Sequence, residues 1–220
     1  MIFMSANSQM PKIPPGDRPS DKFSNPVFLN LYSRRSVRAY KPDAVPDDIL
    51  LELIKAGTYA PTASNIQPWR FVVVTNREQM DAYAERAKQL WLEDPGIKAA
   101  QASGRGGPEL ERYMKMMSTP GLHIFHHAPA LVFIYAEPGA ATQIDCCCAA
   151  ENMMLAAQSL GLGSCWIGLA RPLGSDKKTR QELGVPDHLQ HAAALVFGYP
   201  TNDVRKAPPR KEDVLISWFR

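Results

Sequence analysis

The stretch "VPDDILLELIKAG", residues 45–57, repeats its apolar positions as Ile49, Leu50, Leu53 and Ile54, the spacing of a helix with one buried face. Pro46 suits the first turn, Asp47 and Asp48 favour the positive end of the helix dipole, and Gly57 can end it. The pattern then changes. "RFVVVT", residues 70–75, is a β-branched run without alternation and predicts a strand buried on both faces. Residues 77–91 return to helical spacing. Residues 93–107 carry Gly, Pro and Lys and read as a mobile loop, followed by a short helix over 109–117. "PALVFIYA", residues 129–136, is the second strand. From about 143 to 160 the chain predicts a long helix stopped by Gly161 and apolar almost all round. Its polar residues Asp145, Asn152 and Ser159, with Glu151 and Gln158, recur every seven positions and form one narrow stripe. Such a helix is buried, in the core or against a partner subunit. "SCWIGLA", a helix near 175–183 and the strand "AAALVFGY" follow, and a basic tail ends the chain.

Composition narrows the class. At 220 residues, 45% hydrophobic and 21% charged, the chain suits one sizeable domain or one subunit of an interwoven oligomer. A net charge of +3 is too small for nucleic-acid binding by bulk electrostatics. No apolar run reaches membrane-spanning length, so a soluble protein without membrane partners is expected. The first residues lack a basic region followed by an apolar core, so no signal peptide is read, and their prolines suggest an irregular arm. Cys146, Cys147 and Cys148 are adjacent and Cys165 stands apart; neither a disulfide framework nor a CxxC zinc pair results. Reduced thiols and a cytoplasmic location are the expectation. The dinucleotide glycine fingerprint is missing, because Gly161–Ser164 follows a helix where a strand is required. "GRGGPE" at 104–109 lacks the GK[ST] of a phosphate loop.

Three stretches carry candidate chemistry. In "LYSRRSVRAY", residues 31–40, an extended backbone puts Arg34, Ser36 and Arg38 on one face. Two guanidiniums flanking a hydroxyl are donors for a phosphate or a polar heterocycle; the segment alone reads equally well as a solvated basic turn. In "APTASNIQPWRFVVV", residues 60–74, Thr62, Ser64, Asn65 and Gln67 lie between a helix and a strand. These short side chains can ring a flat ligand with polar edges, or form an ordinary connection. In "GLGSCWIGLA", residues 161–170, glycines allow a ligand close to the backbone. The remaining candidates are structural. The three adjacent cysteines, Met153 and Met154 read as core, and Trp91 and Trp218 as packing residues, Trp218 against a neighbouring subunit. His123, His126 and His127 have no carboxylate or cysteine at ligand spacing and read as a pocket wall, so no metal is expected.

Taken in order with the closing "GYP" and Arg210–Lys211, these stretches resemble the nitroreductase family of flavoproteins over roughly residues 30–212. The resemblance implies an α+β fold, a three-layer sandwich whose mostly antiparallel sheet is flanked by helices. It implies an interwoven homodimer with FMN at the subunit interface. Residues 1–29 would be an arm, 30–212 the FMN-binding domain and 213–220 a C-terminal extension. The implied activity is two-electron transfer from NADH or NADPH to a nitroaromatic, quinone or related small acceptor by a ping-pong cycle. Arg34, Arg35 and Ser36 match the motif holding the FMN phosphate and ribityl chain, and Arg38 the basic residue near the pyrimidine edge. Thr62, Asn65 and Gln67 match the loop reaching the flavin of the other subunit. Trp166, Ile167 and Gly168 match the segment over one ring face, and Arg210 with Lys211 the C-terminal basic pair at the phosphate. The flavin carries the hydride, so no catalytic acid, base or nucleophile is implied; Arg38 and Gly168 tune it. Two departures stand out. Glu212 replaces the family's usual proline, and residues 93–127, where the family varies its substrate pocket, match no subclass. Alternatives in the same fold are a dehalogenase or a flavin-fragmenting enzyme; an alternative of another class is a flavin-binding protein without turnover.

Overall fold

Among the described residues four strands form one sheet in the order β1-β2-β4-β3, each neighbouring pair antiparallel: β1 (Trp69–Val74), β2 (Ala130–Ala136), β3 (Gly163–Trp166) and β4 (Gln190–Gly198). The computed structural model describes residues 19–201, 207–211 and 213–219. It divides into two units, one of Met1–Ser33 with Arg205–Arg220 and one of Arg34–Val204.

In the smaller unit Asp21–Phe23 forms a 3-10 turn and Pro26–Ser33 forms α1. The Asn25 side chain accepts from the backbone N–H groups of Val27 and Phe28 at 3.1 and 3.2 Å, which starts the helix. The described part of the arm is therefore helical, where irregular chain was expected; residues 1–18 and Glu212 lie outside the described residues. Phe23, Val27, Leu29, Ile216 and Phe219 of this unit are exposed, Phe219 at 93%. Trp218 is more than half exposed.

Among its described residues the larger unit holds the sheet and seven α-helices: α2 (Asp47–Thr58), α3 (Arg77–Glu93), α4 (Pro95–Ala102), α5 (Gly107–Met117), α6 (Thr142–Ser159), α7 (Arg171–Ser175) and α8 (Lys177–Glu182). All seven residues of β2 are buried, so both faces need cover. The two-residue period sorts them. Leu131, Phe133 and Tyr135 pack with Val74, Val196 and Cys165 under Met80, Tyr83 and Trp91 of α3, Met117 of α5 and Leu173 of α7. Ala130, Val132, Ile134 and Ala136 pack with Leu195 and Phe197 against Leu50 and Leu53 of α2 and Ala149, Met153 and Ala157 of α6. The result is three layers, helices on both faces of the sheet. Gly57 lies inside α2 rather than ending it, because α6 crosses there: a Cβ at Gly57 would come within 2.9 Å of Met153 Cγ.

Two readings need correction. β1 is the edge strand, not one buried on both faces, and Val73 is 38% exposed. The segment expected as a mobile loop holds α4. Asp94 caps it, Oδ1 accepting from the Ile97 N–H at 2.9 Å, and Pro95 occupies the first turn. The polar stripe of α6 makes hydrogen bonds of its own. Asp145 is buried and accepts weakly from the Ala63 N–H at 3.4 Å, and Asn152 Nδ2 donates to the Ala56 carbonyl at 3.2 Å.

One polar residue in the layer under α7 carries a pH dependence. His191 faces Tyr135 across β2 and β4, with ring centroids 5.6 Å apart, and neither of its ring nitrogens reaches a hydrogen-bond partner among the described residues. The Ala193 backbone favours the charged ring slightly without meeting hydrogen-bond geometry. Burial, helped by the charge of Arg171, holds its pKa at about 4, below its ordinary 6.5. The unfolded chain therefore binds a proton that the fold excludes, so this residue's contribution is lost as pH falls from 6.5 through about 4. In that window urea midpoints of the parent should drop, with a slope of up to roughly 1.4 kcal/mol per pH unit from this group. His191→Gln should flatten that part of the profile; an unchanged slope would assign it to other groups.

Candidate active site at the third strand

The basic segment is laid along the free edge of β3. The Val37 N–H donates to the Ser164 carbonyl at 2.9 Å, and Ser36 pairs with Ser164 as an isolated parallel bridge. Tyr40 Oη donates back to the Val37 carbonyl at 2.7 Å. Further along, the Lys41 N–H donates to the Tyr199 carbonyl at 2.8 Å and the Thr201 N–H to the Ala39 carbonyl at 3.1 Å. Gly163 makes the approach possible, since a Cβ there would come within 2.7 Å of Val37 Cγ2. Pinned this way, the segment is extended and alternate side chains share a side.

The buried Cys165 of β3 lies within electrostatic range of them. Burial pushes its thiol up, while the charge of Arg38, a hydrogen bond with Ser36 and the charge of Arg34 pull the other way. Those three groups lie close enough to act on one sulfur. Ser36 and Arg38 remain exposed, and Arg38 Nη1 makes a long hydrogen bond to the Ser36 carbonyl at 3.4 Å. Arg34 Nε lies 3.4 Å from Glu151 Oε1 of α6, and Arg35 Nη1 donates to the Arg34 carbonyl at 2.8 Å. Of the guanidiniums of Arg34 and Arg38, only that of Arg34 has an ion pair among the described residues, which leaves an excess of positive charge.

Residues 61–68 form a stiff exposed loop. Ser64, Asn65 and Gln67 all adopt left-handed backbone, with φ of 50°, 55° and 49°. Non-glycine residues in this region cost of order 1–3 kcal/mol each and mark sites where local shape is needed. Internal bonds hold the strain: the Gln67 N–H donates to Thr62 Oγ1 at 3.3 Å, and Gln67 Nε2 to Asn65 Oδ1 at 3.0 Å. Asp145 of α6 adds one weak bond to the loop, from the Ala63 N–H. Thus α6 anchors both the basic segment, through Glu151, and this loop, through Asp145. Neither carboxylate was anticipated as a site residue; the seven-residue polar stripe of α6 was the available signal.

Trp166 ends β3, and the Ile167 N–H donates to the Ala194 carbonyl at 2.8 Å, so Ile167 is buried. Gly168 then turns outward, exposed and with open space where a Cβ would stand. β3 therefore brings together Arg34, Ser36, Arg38 and the Trp166–Gly168 stretch. Arg210 and Lys211 are exposed residues of the smaller unit. Burial pushes the Cys146 thiol up to about 12, with Cys147 and Asp145 adding to the effect, so Cys146 stays a thiol at neutral pH.

The fit of Val37 over Gly163 gives a direct test. Gly163→Ala should lift the segment off β3 and destabilise the fold by about 1–3 kcal/mol, the usual range for overpacking. Chemical denaturation measures it; full stability would mean that the segment docks elsewhere.

Comparison with known proteins agrees with this geometry. Residues 31–199 match the family model described as "Nitroreductase family". A relative named putative NADH dehydrogenase/NAD(P)H nitroreductase, from Archaeoglobus fulgidus, is 29% identical over 173 residues, 79% of this chain and 84% of the relative. An iodotyrosine deiodinase from Thermotoga neapolitana is 26% identical over 186 residues, covering 83% and 92% of the two chains. Among solved structures, a nitroreductase with bound FMN from Bacteroides fragilis superimposes with a TM-score of 0.74 at 29% identity, covering 90% of this chain and all of that one. With its three-layer fold, its basic segment on the β3 edge and a family match over three quarters of its length, the chain belongs to the nitroreductase family.

Proposed function

We propose that the protein is an FMN-dependent oxidoreductase that takes two electrons from NADH or NADPH and delivers them to a nitroaromatic, a quinone or a related small acceptor. The observation that carries this reading is the pinning of the Arg34, Ser36 and Arg38 segment along the β3 edge, the strand that leads to the outward-turning Gly168. The residues present fit the group. The excess positive charge suits a phosphate, and the open space at Gly168 admits a flat ring system. Arg34, Arg35 and Ser36 would hold the phosphate and ribityl chain, Arg38 the pyrimidine edge, and Trp166, Ile167 and Gly168 one face. Thr62, Asn65 and Gln67 would reach the site of a second subunit, and Arg210 with Lys211 would add charge at the phosphate. Bound FMN supplies the two-electron chemistry. The chain's part is electrostatic. A fixed guanidinium at Arg38 favours whichever redox state of its neighbour is more negative, whereas Arg34 and Arg35 act on a phosphate charge common to both states. No side chain needs to move a proton in this scheme, and donor and acceptor take turns on one open face in a ping-pong cycle.

A homodimer is part of the proposal. Ile144 and Leu160 of the long apolar helix region stand 66% and 49% exposed, and Ile216 and Phe219 of the smaller unit 89% and 93%. Surface of this kind marks an interaction face. Light scattering should give a dimer with two-fold symmetry as the default arrangement; a stable, flavin-loaded monomer would contradict it. The relative named iodotyrosine deiodinase keeps a reductive dehalogenase in view, and a halophenol beside nitroaromatics and quinones in the acceptor screen separates the two activities.

The purified protein should be yellow, and heat should release FMN. Release of FAD, or no flavin after reconstitution, sinks the reading; a bound flavin without NAD(P)H turnover would make the protein a carrier. Arg34→Ala should lose flavin with little change in the potential of what remains. Arg38→Ala should keep more flavin and lower its potential by roughly 30 mV, equivalent to about 1.4 kcal/mol for a two-electron couple. Redox titration of both variants distinguishes anchor from tuner.

A further inference from the structure

We propose that Asp81, His123 and His127 form a binding site for a divalent transition-metal ion of the zinc class. Asp81 lies on α3, and the two histidines flank the turn before β2. Each residue offers one donor atom, and the three atoms lie within 4.8 Å of one another. Two imidazoles and a carboxylate are a donor set that suits zinc and its neighbours and leaves open positions for water.

The backbone is built to gather them. Ile124 and Phe125 are buried and anchor the turn. The His126 N–H donates to the His123 carbonyl at 2.8 Å, and both His126 and His127 take left-handed backbone, with φ of 55° and 53°. This reversal lays the His127 ring over His123, with centroids 4.2 Å apart. An ordinary hydrogen bond accounts for one pair: His123 Nε2 lies 3.0 Å from Asp81 Oδ1. It does not account for a second imidazole held over the first by two consecutive strained residues.

The distances ask for a modest closure. Tetrahedral ligand bonds of about 2.0–2.2 Å put donor atoms ~3.3–3.6 Å apart, so a pair at the 4.8 Å limit must close by about an ångström, within reach of side-chain rotation. The protons also balance. The His127 N–H donates to His123 Nδ1 at 3.3 Å, so the neutral ring carries its proton on Nε2, toward Asp81. On binding, that proton moves to Nδ1, Nε2 turns its lone pair to the ion, and the long contact to the His127 amide is given up. Arg77 Nε stands 3.9 Å from Asp81 Oδ1 and opposes a cation there; it is half exposed and free to swing away.

Equilibrium dialysis of the chelator-treated full chain against zinc chloride, read by elemental analysis, tests the site. One saturable zinc per chain is expected. Asp81→Asn and His127→Ala should each weaken it more than about 100-fold, beyond the 10–100-fold loss typical of an outer-shell partner. Arg77→Ala should bind as tightly or more so. Circular dichroism checks that each variant is folded. If one is not, the cobalt(II) spectrum of the parent decides: intense bands of a low-coordinate, imidazole-bound ion support the site, and the weak spectrum of aqueous cobalt overturns it. Absence of saturable zinc, or affinity unchanged in both folded variants, as binding at the exposed Cys147 thiol would give, also overturns it.

Discussion

Seven consecutive buried residues in β2 set the terms for the whole larger unit. A strand with no wet face requires cover on both sides, and its alternating side chains feed two cores whose helices come from different parts of the chain. With β2 and β4 fixed at the centre, β1 and β3 become the edges. The β3 edge is closed by residues 36 and 37, which is why the arginines on either side are held in extended backbone rather than on a mobile turn. The basic cluster is thus a by-product of edge protection, and Gly163 is the residue that makes the two compatible.

The site divides into parts of different rigidity. The Arg34 to Arg38 segment takes its shape from the sheet, while the 61–68 loop takes its shape from its own hydrogen bonds and a buried carboxylate. α6 supports both, with Asp145 and Glu151 less than two turns apart. A helix that is mostly a core element therefore also sets the relation between two surface segments. This explains why its few polar residues are not spread around the surface.

Much of this was legible in the chain because the informative patterns are local. β2, β4 and α6 are largely apolar runs, α2 repeats its apolar positions at helical spacing, and the alternation of Arg34, Ser36 and Arg38 holds wherever the backbone is extended. What failed was non-local or outweighed. The β-branched run of β1 looks like a central strand, and only the strand order places it at an edge. The start of α4 was signalled by Asp94–Pro95, but the glycines after it pointed to loop. Asp145, Glu151 and Asp81 gain their roles from partners on other elements, which spacing along one segment cannot reveal.

The Arg34–Glu151 pair has a consequence for ionic strength. A bare guanidinium gathers small counter-ions, and an arriving anion gains free energy by releasing them, so affinity falls steeply as salt is added. Arg34 already has a tethered counter-charge in Glu151. An anion that takes its place displaces a carboxylate of the same chain, and no salt ion is freed at that arginine. Added salt weakens the internal pair and the incoming one together. The salt dependence of anion binding should accordingly count fewer charges than the arginines of residues 34–38 present.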